Sequence, residues 1–277
     1  MFKLSPNTLA FEVKARHYGT QHLGISPKGA SDQLSFEVAS ILLGNPQKYH
    51  CVEILYHANI TFTKEVLFTL SGAHFKTMTL LQNSAAIALE HTKVYRANSG
   101  DRLHVKEASI GFRLYLFATP LHQNNVQRIG LKRGAYEKWF PPFSHEIPLI
   151  RGPEHHLLTN PSELLNTHWK ISSSSDLMGL RLQGTDIHAK DYDIISSAVN
   201  DGTIQLTSKG PIILMRHHQT TGGYPRVYQV ASVAIDRLAQ YPLGSSIHFI
   251  EISMQEAKAL YLEQMKALEA FKKTLLD

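Results

Sequence analysis

The chain has 277 residues, of which 43% are hydrophobic and 18% are charged, a composition typical of a globular protein with a sizeable core. The net charge is +5, but the lysines and arginines are scattered and no basic run with interleaved aromatic residues occurs. The single cysteine, Cys51, excludes an internal disulfide and suits a reducing compartment. No stretch approaches the ~20 consecutive apolar residues of a membrane span, and the first residues lack a signal-peptide pattern. We therefore expect a soluble cytoplasmic protein that prefers anionic substrates or acidic partners, with no nucleic acid and no membrane.

Sixteen histidines raise the question of a metal site. The adjacent pairs His155–His156 and His217–His218 lack the i, i+4 ligand spacing of zinc-protease helices, and cysteine ligands are missing. Surface or turn histidines are the favoured interpretation, so we expect no metal.

The first regular element is a helix that begins at the N-cap candidate Asp32. Apolar residues recur at helical spacing from Leu34 to Leu42, and Gly44 with Pro46 ends the segment. Short β-like runs separated by Gly, Asn and Ser turns follow, a rhythm typical of a β-sandwich or barrel. These runs are 52–55, 60–62, 66–70, 75–80, 85–89, 103–105 and 112–117. Because long amphipathic helices are lacking between them, a parallel α/β sheet is disfavoured.

A second β-like series begins at residue 147, after a less regular stretch that contains the domain boundary. The predicted domains are therefore 1–146 and 147–277. The second series has strands at 147–150, 169–172, 180–182, 203–206, 212–215, 227–235 and 246–252, and a short helix at 161–165.

The chain ends in a predicted helix that starts at the capping box Ser253–Glu256. Its apolar residues form one stripe, and Glu269 with Lys273 makes a favourable i, i+4 pair. The stripe consists of Ala257, Leu260, Tyr261, Met265, Leu268 and Phe271. We expect this helix to pack on its own domain.

A polar segment, Arg216–Pro225, follows directly on the apolar run 211–215. Its adjacent glycines, Gly222 and Gly223, can take a positive φ, so the turn can aim several N–H groups at one point. Two threonine hydroxyls and Arg216 stand beside them, which makes the segment a candidate anion-binding concavity. Local sequence alone favours an ordinary β-hairpin turn.

Four sequence blocks together resemble a known family. They are Gly24–Asp32 with its helix through Pro46, Arg151–His155, Asp176–Gly184, and Gln219–Pro225 with Asp236–Gln240. In this order the chain resembles the family that contains the 5-oxoprolinase C-subunit, the second subunit of allophanate hydrolase, the Kip antagonist and the carboxyltransferase part of urea amidolyase. The resemblance implies a mainly β fold with two cyclophilin-like β-barrel domains, a few short helices and a C-terminal helix.

The resemblance also implies ATP-dependent chemistry on a small amide within a complex. In the 5-oxoprolinase branch, 5-oxoproline is opened to glutamate while ATP becomes ADP and phosphate. The expected partners resemble the 5-oxoprolinase B-subunit or the Kip inhibitor, together with a protein of the lactam-utilisation type. The expected cofactor is ATP with Mg, shared with those subunits. No covalently attached biotin is expected, because the chain has no carrier domain.

Activating an amide oxygen requires a site that holds anions and stabilises developing negative charge with preorganised donors. The catalytic candidates are His217, Thr220 and Thr221. The loop Ser26–Ser31 contributes because it runs into a helix N-terminus, and Arg181 is the expected anion clamp. The candidates for binding substrate or an anion are Ser26, Gly29, Ser31, Asp32, Arg181, Arg216, Gln219, Gly222, Gly223 and Tyr224.

The chain departs from the family pattern within this site. His217 and His218 stand where relatives usually have an acidic residue and an arginine, and Leu177 replaces another arginine. A glycine-rich block is also absent from residues 128–140. Histidine can act as a base near neutral pH, so His217 is the position nearest to a base.

Two other functions stay open at this point. A non-catalytic regulatory protein resembling the Kip antagonist would bind a Kip-inhibitor-like partner, and the missing acidic residue favours it. A biotin-dependent carboxyltransferase acting with a separate carrier is the third hypothesis.

Overall fold

A computed structural model describes residues 1–121 and 144–274. Contacts divide these residues into two compact units. Residues 1–15, 32–121 and 267–274 form the first unit, and residues 16–31 and 144–266 form the second. The predicted domains are each continuous in sequence, with their boundary at 146/147. In the contact units, residues 16–31 group with the second unit and residues 267–274 group with the first.

The first unit is built on an eight-stranded antiparallel sheet. Its strands are β1 (Phe2–Leu4), β2 (Ala10–Val13), β3 (His50–Ile54), β4 (His57–Phe62), β5 (Val66–Gln82), β6 (Ala85–Ala88), β7 (Tyr95–Ala97) and β8 (Arg102–Pro120). Val, Ile, Leu and Phe side chains on one face of these strands form a buried core. Alternation of buried and exposed positions along β4 is the pattern of a strand with one face in a core.

Two strands of this sheet are longer than the sequence predicts. The predicted runs 66–70 and 75–80 are one strand, β5, and the runs 103–105 and 112–117 are one strand, β8. The two strands pair along their length, with register shifts beside Gly72 and His74. The turn predicted between the runs 66–70 and 75–80 is therefore wrong, because the irregularity is absorbed as a bulge within the ladder.

Helix α1 (Gln33–Leu42) begins where the sequence predicts it. The Asp32 carboxylate accepts hydrogen bonds from the Ser35 N–H at 2.9 Å and the Ser35 hydroxyl at 2.6 Å. The Asp32 N–H donates to the Tyr115 hydroxyl at 2.9 Å, which in turn donates to the buried Glu53 at 2.8 Å. A buried chain of hydrogen bonds therefore fixes the start of the helix on β3 and β8.

The second unit contains a closed barrel of seven strands in the order β10-β11-β14-β13-β16-β9-β17. The strands are β9 (Glu146–Arg151), β10 (His168–Ile171), β11 (Gly179–Gln183), β13 (Thr203–Thr207), β14 (Gly210–Leu214), β16 (Arg226–Val230) and β17 (Ser246–Glu251). Outside the barrel, β12 (Ser197–Ala198) pairs with β15 (Thr221–Gly222). The barrel interior is filled by buried side chains that include Trp169, Ile204 and Phe249.

Two short helices accompany the barrel, α2 (Pro161–Asn166) and α3 (Ser232–Ala239). Helix α2 confirms the helix predicted at 161–165. The strand predicted at 227–235 is wrong in its second half, because β16 ends at Val230 and α3 follows. Ala234, Ile235 and Leu238 are buried at helical spacing, so the apolar residues follow a period of 3.6.

The C-terminal helix α4 (Met254–Thr274) starts at the predicted capping box. The Ser253 N–H donates to the Glu256 carboxylate at 2.7 Å, and the Glu256 N–H donates to the Ser253 hydroxyl at 3.2 Å. The predicted pairing with Lys273 is wrong, because the Glu269 carboxylate contacts Lys272 at 2.8 Å.

The apolar stripe of α4 is buried only near the end of the helix. Leu268 and Phe271 are buried, whereas Leu260 and Tyr261 are exposed. The buried part, from residue 267, belongs to the first contact unit. The expected packing of this helix on its own domain is therefore wrong, because Leu260 and Tyr261 are exposed and the buried end of the helix groups with residues of the first unit.

The predicted fold class is confirmed: the chain is mainly β, with two barrel-like sheets, short helices and a C-terminal helix. Among the described residues, no helix is both long enough and apolar enough to cross a membrane.

The segment Arg151–Glu154 packs its backbone directly against β16. The Gly152 N–H donates to the Val227 carbonyl at 3.0 Å, and the Glu154 N–H donates to the Arg226 carbonyl at 3.2 Å. A Cβ atom at position 152 would lie 2.1 Å from the Arg226 carbonyl oxygen. The residue must be glycine because the two backbones approach too closely for a side chain.

Replacing Gly152 with Ala should therefore lower the free energy of unfolding by about 1–3 kcal/mol, since a backbone segment must shift to accept the methyl group. Urea unfolding followed by circular dichroism measures this loss. Gly223→Ala is the matched comparison, because its Cβ would meet the nearest atoms at 3.3 Å. Equal losses for the two variants would contradict the close-approach explanation.

Candidate functional site

The site predicted at Arg216–Pro225 lies within the second unit, between β14 and β16. These strands are not neighbours, because β13 lies between them in the barrel. The segment therefore is not an ordinary hairpin turn. It leaves the barrel after Leu214, pairs with β12 through Thr221 and Gly222, and returns at Arg226.

The two glycines of this segment serve close packing rather than a left-handed turn. Neither Gly222 nor Gly223 has a positive φ, so the left-handed backbone expected at these two residues is wrong. A Cβ at position 222 would lie 2.5 Å from the Gln205 side-chain nitrogen. Consecutive positive φ angles occur instead at Lys28 (50°) and Gly29 (90°), in the loop of the first block.

Gln205, on β13, binds two residues of the segment Arg216–Pro225 through its side-chain amide. Its amide nitrogen donates to the Tyr224 carbonyl at 3.3 Å, and its amide oxygen accepts from the Gln219 amide at 3.3 Å. The Gln205 side chain is buried, and both contacts hold the turn against the barrel. Sequence reasoning missed this residue, because a lone Gln inside an apolar strand carries no pattern of its own.

The predicted hydroxyl candidates differ in accessibility. Thr220 is half-buried and its carbonyl accepts from the Val199 N–H at 3.2 Å, whereas Thr221 is exposed at the pairing with Ala198. The Tyr224 side chain is 44% exposed. The turn therefore presents Thr221 and Tyr224 to solvent.

The loop 16–31 meets the turn at His217. The ring Nε2 of His217 lies 2.9 Å from the Gly29 carbonyl oxygen, which can only accept. The loop is closed by the His17 N–H, which donates to the Pro27 carbonyl at 3.1 Å, and the Ser26 hydroxyl accepts from the Lys28 N–H at 3.3 Å. The structure therefore brings together two of the predicted parts, the loop Ser26–Ser31 and the segment Arg216–Pro225.

A cluster of buried charges lies beside this contact, centred on Asp201. Arg16 donates to both oxygens of the Asp201 carboxylate, with one bond at 3.1 Å. Arg216 donates to the same carboxylate at 2.7 Å and to Asp236 at 2.6 Å. The His218 Nε2 lies 3.2 Å from the other Asp201 oxygen. Sequence reasoning missed Arg16, Asp201 and the role of Asp236.

The electrostatics of the cluster are dominated by mutual neutralisation. Burial alone raises the pKa of the Asp201 carboxyl, but hydrogen bonds from His218 and Arg16 and the charge of Arg216 outweigh it and hold the pKa well below its usual value. Burial lowers the pKa of Arg216, but the charges of Asp236 and Asp201 outweigh burial and raise the pKa above its ordinary value. Arg216 was predicted to bind an anion. Its terminal nitrogens are instead engaged by two carboxylates of the protein.

The remaining predicted residues are Asp32, Ser31 and Arg181. Asp32 caps α1 in the first unit, and Ser31 beside it is buried. Arg181 is exposed on β11 in register with Ile212, and its guanidinium makes no hydrogen bond to any described residue. Leu180 and Leu182 point into the barrel, so alternation along the strand directs Arg181 outward.

A second ion pair, between Arg226 and Glu154, anchors the return of the turn to the barrel. The guanidinium binds the carboxylate through two nitrogens at 2.7 and 2.6 Å and donates to the Ala198 carbonyl at 3.0 Å. The hydrogen bonds from Arg226 lower the pKa of Glu154 despite partial burial. Glu154 lies in the second sequence block, Arg151–His155. Its ion pair with Arg226 gives this block a structural role, which is to hold the start of β16 in place.

No group of three or more His, Cys, Asp or Glu side chains is arranged to hold a metal ion in residues 1–121 and 144–274.

Comparison with known proteins identifies the family. A family model described as carboxyltransferase domain, subdomain A and B, matches residues 23–125 and 119–251. The chain belongs to this family. It is 30% identical to the 5-oxoprolinase C-subunit of Haemophilus influenzae over 91% of this chain and 93% of that protein. The Escherichia coli 5-oxoprolinase C-subunit is 27% identical over 91% of each chain.

Solved structures agree on the fold. The crystal structure of the Kluyveromyces lactis urea amidolyase superposes with a TM-score of 0.81 at 21% identity, covering 98% of this chain but 20% of that one. The Lachancea kluyveri urea amidolyase is similarly 24% identical over 91% of this chain and 17% of its own length. The family resemblance carried by the four sequence blocks is thus confirmed.

The Glu154–Arg226 pair should stabilise the protein in a pH-dependent way. A carboxyl whose pKa is lower in the folded than in the unfolded state stabilises the fold above the ordinary glutamate pKa of about 4.3, and this stabilisation is lost as pH falls through the folded pKa. Glu154→Gln should therefore cost more stability at neutral pH than at about pH 3.5. Urea unfolding of both proteins across this range provides the measurement, and a difference that does not change with pH would contradict the assignment.

Proposed function

We propose that this protein is one component of a heteromeric, ATP-dependent amidohydrolase that opens a small cyclic amide, with 5-oxoproline as substrate and glutamate as product. The proposal is supported by the relatives that are C-subunits of 5-oxoprolinase, which match nearly the whole chain. The structural observation that carries it is the contact of His217 with Gly29, because it joins the two predicted parts of the site around a candidate base.

His217 is suited to accept a proton through Nδ1. Its Nε2 faces a carbonyl oxygen and must therefore carry the hydrogen. In the neutral ring the lone pair then resides on Nδ1, which is the basic nitrogen. The Gly29 carbonyl thus selects one tautomer, as a hydrogen-bonded neighbour does for catalytic histidines in general.

The proposed chemistry divides the reaction between ATP and this base. ATP transfers its γ-phosphoryl group to the amide oxygen, which makes the carbonyl carbon a better electrophile and releases ADP. Water adds to that carbon as Nδ1 of His217 accepts its proton, and the C–N bond of the ring then breaks as the departing nitrogen takes up a proton, which leaves an acyl phosphate. A second water hydrolyses this acyl phosphate to the carboxylate and phosphate. The products are glutamate, ADP and phosphate.

ATP with Mg is proposed to lie between this chain and its partner subunits. The exposed groups that fit a phosphate or a developing oxyanion are the Thr221 hydroxyl, the Tyr224 hydroxyl and the Arg181 guanidinium on β11. Arg216 and Asp32 are not assigned to this task, because the terminal nitrogens of Arg216 and the carboxylate of Asp32 are already bound within the protein. The proposed partners resemble the 5-oxoprolinase B-subunit or the Kip inhibitor, and a protein of the lactam-utilisation type, in the cytoplasm.

A second candidate function is a non-catalytic regulatory protein that binds a Kip-inhibitor-like partner. The observation in its favour is that the carboxylates beside the turn, Asp201 and Asp236, are bound by arginines. A carboxylate base is therefore missing among the described residues of the turn. A biotin-dependent carboxyltransferase remains third, and binding of a biotinylated carrier protein would support it.

The decisive experiment reconstitutes the chain with the two partner subunits and measures glutamate release from 5-oxoproline with ATP. His217→Ala should lower kcat by about 10²–10⁴-fold, the usual contribution of a general base. His57→Ala, an exposed histidine of the first unit, is the matched control and should leave kcat unchanged.

The outcomes separate the candidates. A wild-type complex that assembles but releases no glutamate would exclude the amidohydrolase and leave the regulatory function. An active complex in which His217→Ala retains full kcat would leave the enzyme but exclude His217 as its base.

A further inference from the structure

Three consecutive residues of the site point in two directions. Arg216 and His218 both contact the Asp201 carboxylate, at 2.7 and 3.2 Å, whereas His217 between them contacts the Gly29 carbonyl. One buried carboxylate therefore holds the residue before and the residue after the candidate base.

The same carboxylate also holds the loop that carries Gly29. Arg16 is the first residue of this loop, and it donates to both Asp201 oxygens. The next residue, His17, closes the loop by donating to the Pro27 carbonyl at 3.1 Å, two residues before Gly29. A continuous path of contacts thus runs from Asp201 to the oxygen that His217 faces.

The side chains of this arrangement are largely shielded from solvent. The exposed fraction is 6% for the Arg16 side chain, 15% for Asp201, 12% for Arg216 and 5% for His218. Charged hydrogen bonds that are shielded from water are stronger than exposed ones, and removing one partner leaves the others buried without compensation. The Asp201 backbone is fixed as well, because its carbonyl accepts from the Gln229 amide at 2.7 Å.

The contacts of His218 show why an amide cannot replace the Asp201 carboxylate. Its Nδ1 faces the Gln219 carbonyl and its Nε2 faces Asp201, so both ring nitrogens meet acceptors. A neutral ring has one N–H and can donate to only one of them. An amide side chain at position 201 would present hydrogens to Arg16, Arg216 or His218, which are donors themselves.

We infer that Asp201 is a positioning residue for His217. It holds the two chain neighbours of His217 and the loop that supplies the Gly29 carbonyl, and so it fixes the tautomer in which Nδ1 is the basic nitrogen. This inference rests on the proposed function for its catalytic meaning, but the geometry that it describes can be measured without any turnover.

The test is the tautomer of His217 in the isolated chain labelled with ¹⁵N-histidine. Two-bond ¹H–¹⁵N correlation spectra at about pH 8.5, above the ordinary histidine pKa of about 6.5, report which ring nitrogen carries the hydrogen. A His217→Gln spectrum assigns the signal. The wild type should show the Nε2–H form, and Asp201→Asn should move the signal towards an average of the two tautomers.

Two further variants make the result specific. Arg16→Gln removes only the ion pair that links the loop 16–31 to Asp201. This variant tests the inference if Asp201→Asn does not fold. Glu251→Gln is the matched control, because it breaks an arginine pair of the same barrel, Arg151–Glu251, on strands β9 and β17. Unchanged His217 signals in both cluster variants, or an equal change in Glu251→Gln, would overturn the inference.

In the reconstituted complex Asp201→Asn should lower kcat by roughly tenfold to hundredfold with little change in KM, because misplacing a reacting group by about 1 Å costs up to about 10²-fold. A wild-type complex without turnover would refute the proposed function and leave the tautomer result intact. A variant with shifted tautomer but full kcat would overturn the positioning role.

Discussion

The site depends on a single electrostatic constraint, the burial of Asp201 among Arg16, Arg216 and His218. A carboxylate removed from water is costly unless cations and donors surround it. Here three side chains from two distant parts of the sequence meet that requirement, and Asp236 accepts a hydrogen bond from the second terminal nitrogen of Arg216. Because the carboxylate can be satisfied only when the loop and the turn are both in place, its burial couples their positions.

Close backbone contact is the second constraint. Gly222 lies against the Gln205 amide and Gly152 against the Arg226 carbonyl, at distances that leave no room for a Cβ atom. These glycines allow the segment Arg216–Pro225 and the segment after β9 to pack closely against their neighbours. Gln205 and the Glu154–Arg226 pair then fix its two ends. The result is a turn whose shape is set by packing rather than by unusual backbone angles.

Local signals in the sequence were sufficient for the elements they govern. Asp32 caps α1 and Ser253 with Glu256 caps α4, because each signal involves residues within one helical turn. Long-range features could not be predicted in this way: Arg16 and Asp201 are 185 positions apart, and no pattern around either one indicates the other. The merged strands β5 and β8 escaped prediction for a related reason, since a bulge and a turn use the same Gly and Ser residues. Family blocks could not predict the contacts of Arg216 or His218, because a motif records which residue types recur, while the partner of each side chain is decided by the whole fold.

The exchange of chain segments between the two contact units has a consequence for synthesis. Residues 16–31 belong to the unit whose barrel closes by pairing β9 with β17 in parallel, and residues 267–274 complete the other unit. On a ribosome, the early segment must therefore wait until β17 has been made before its own unit can close. The first unit, in turn, lacks the buried Leu268 and Phe271 until α4 has emerged. Neither unit can be completed by one continuous stretch of sequence, so cutting the chain at the predicted 146/147 boundary would leave both units without a segment.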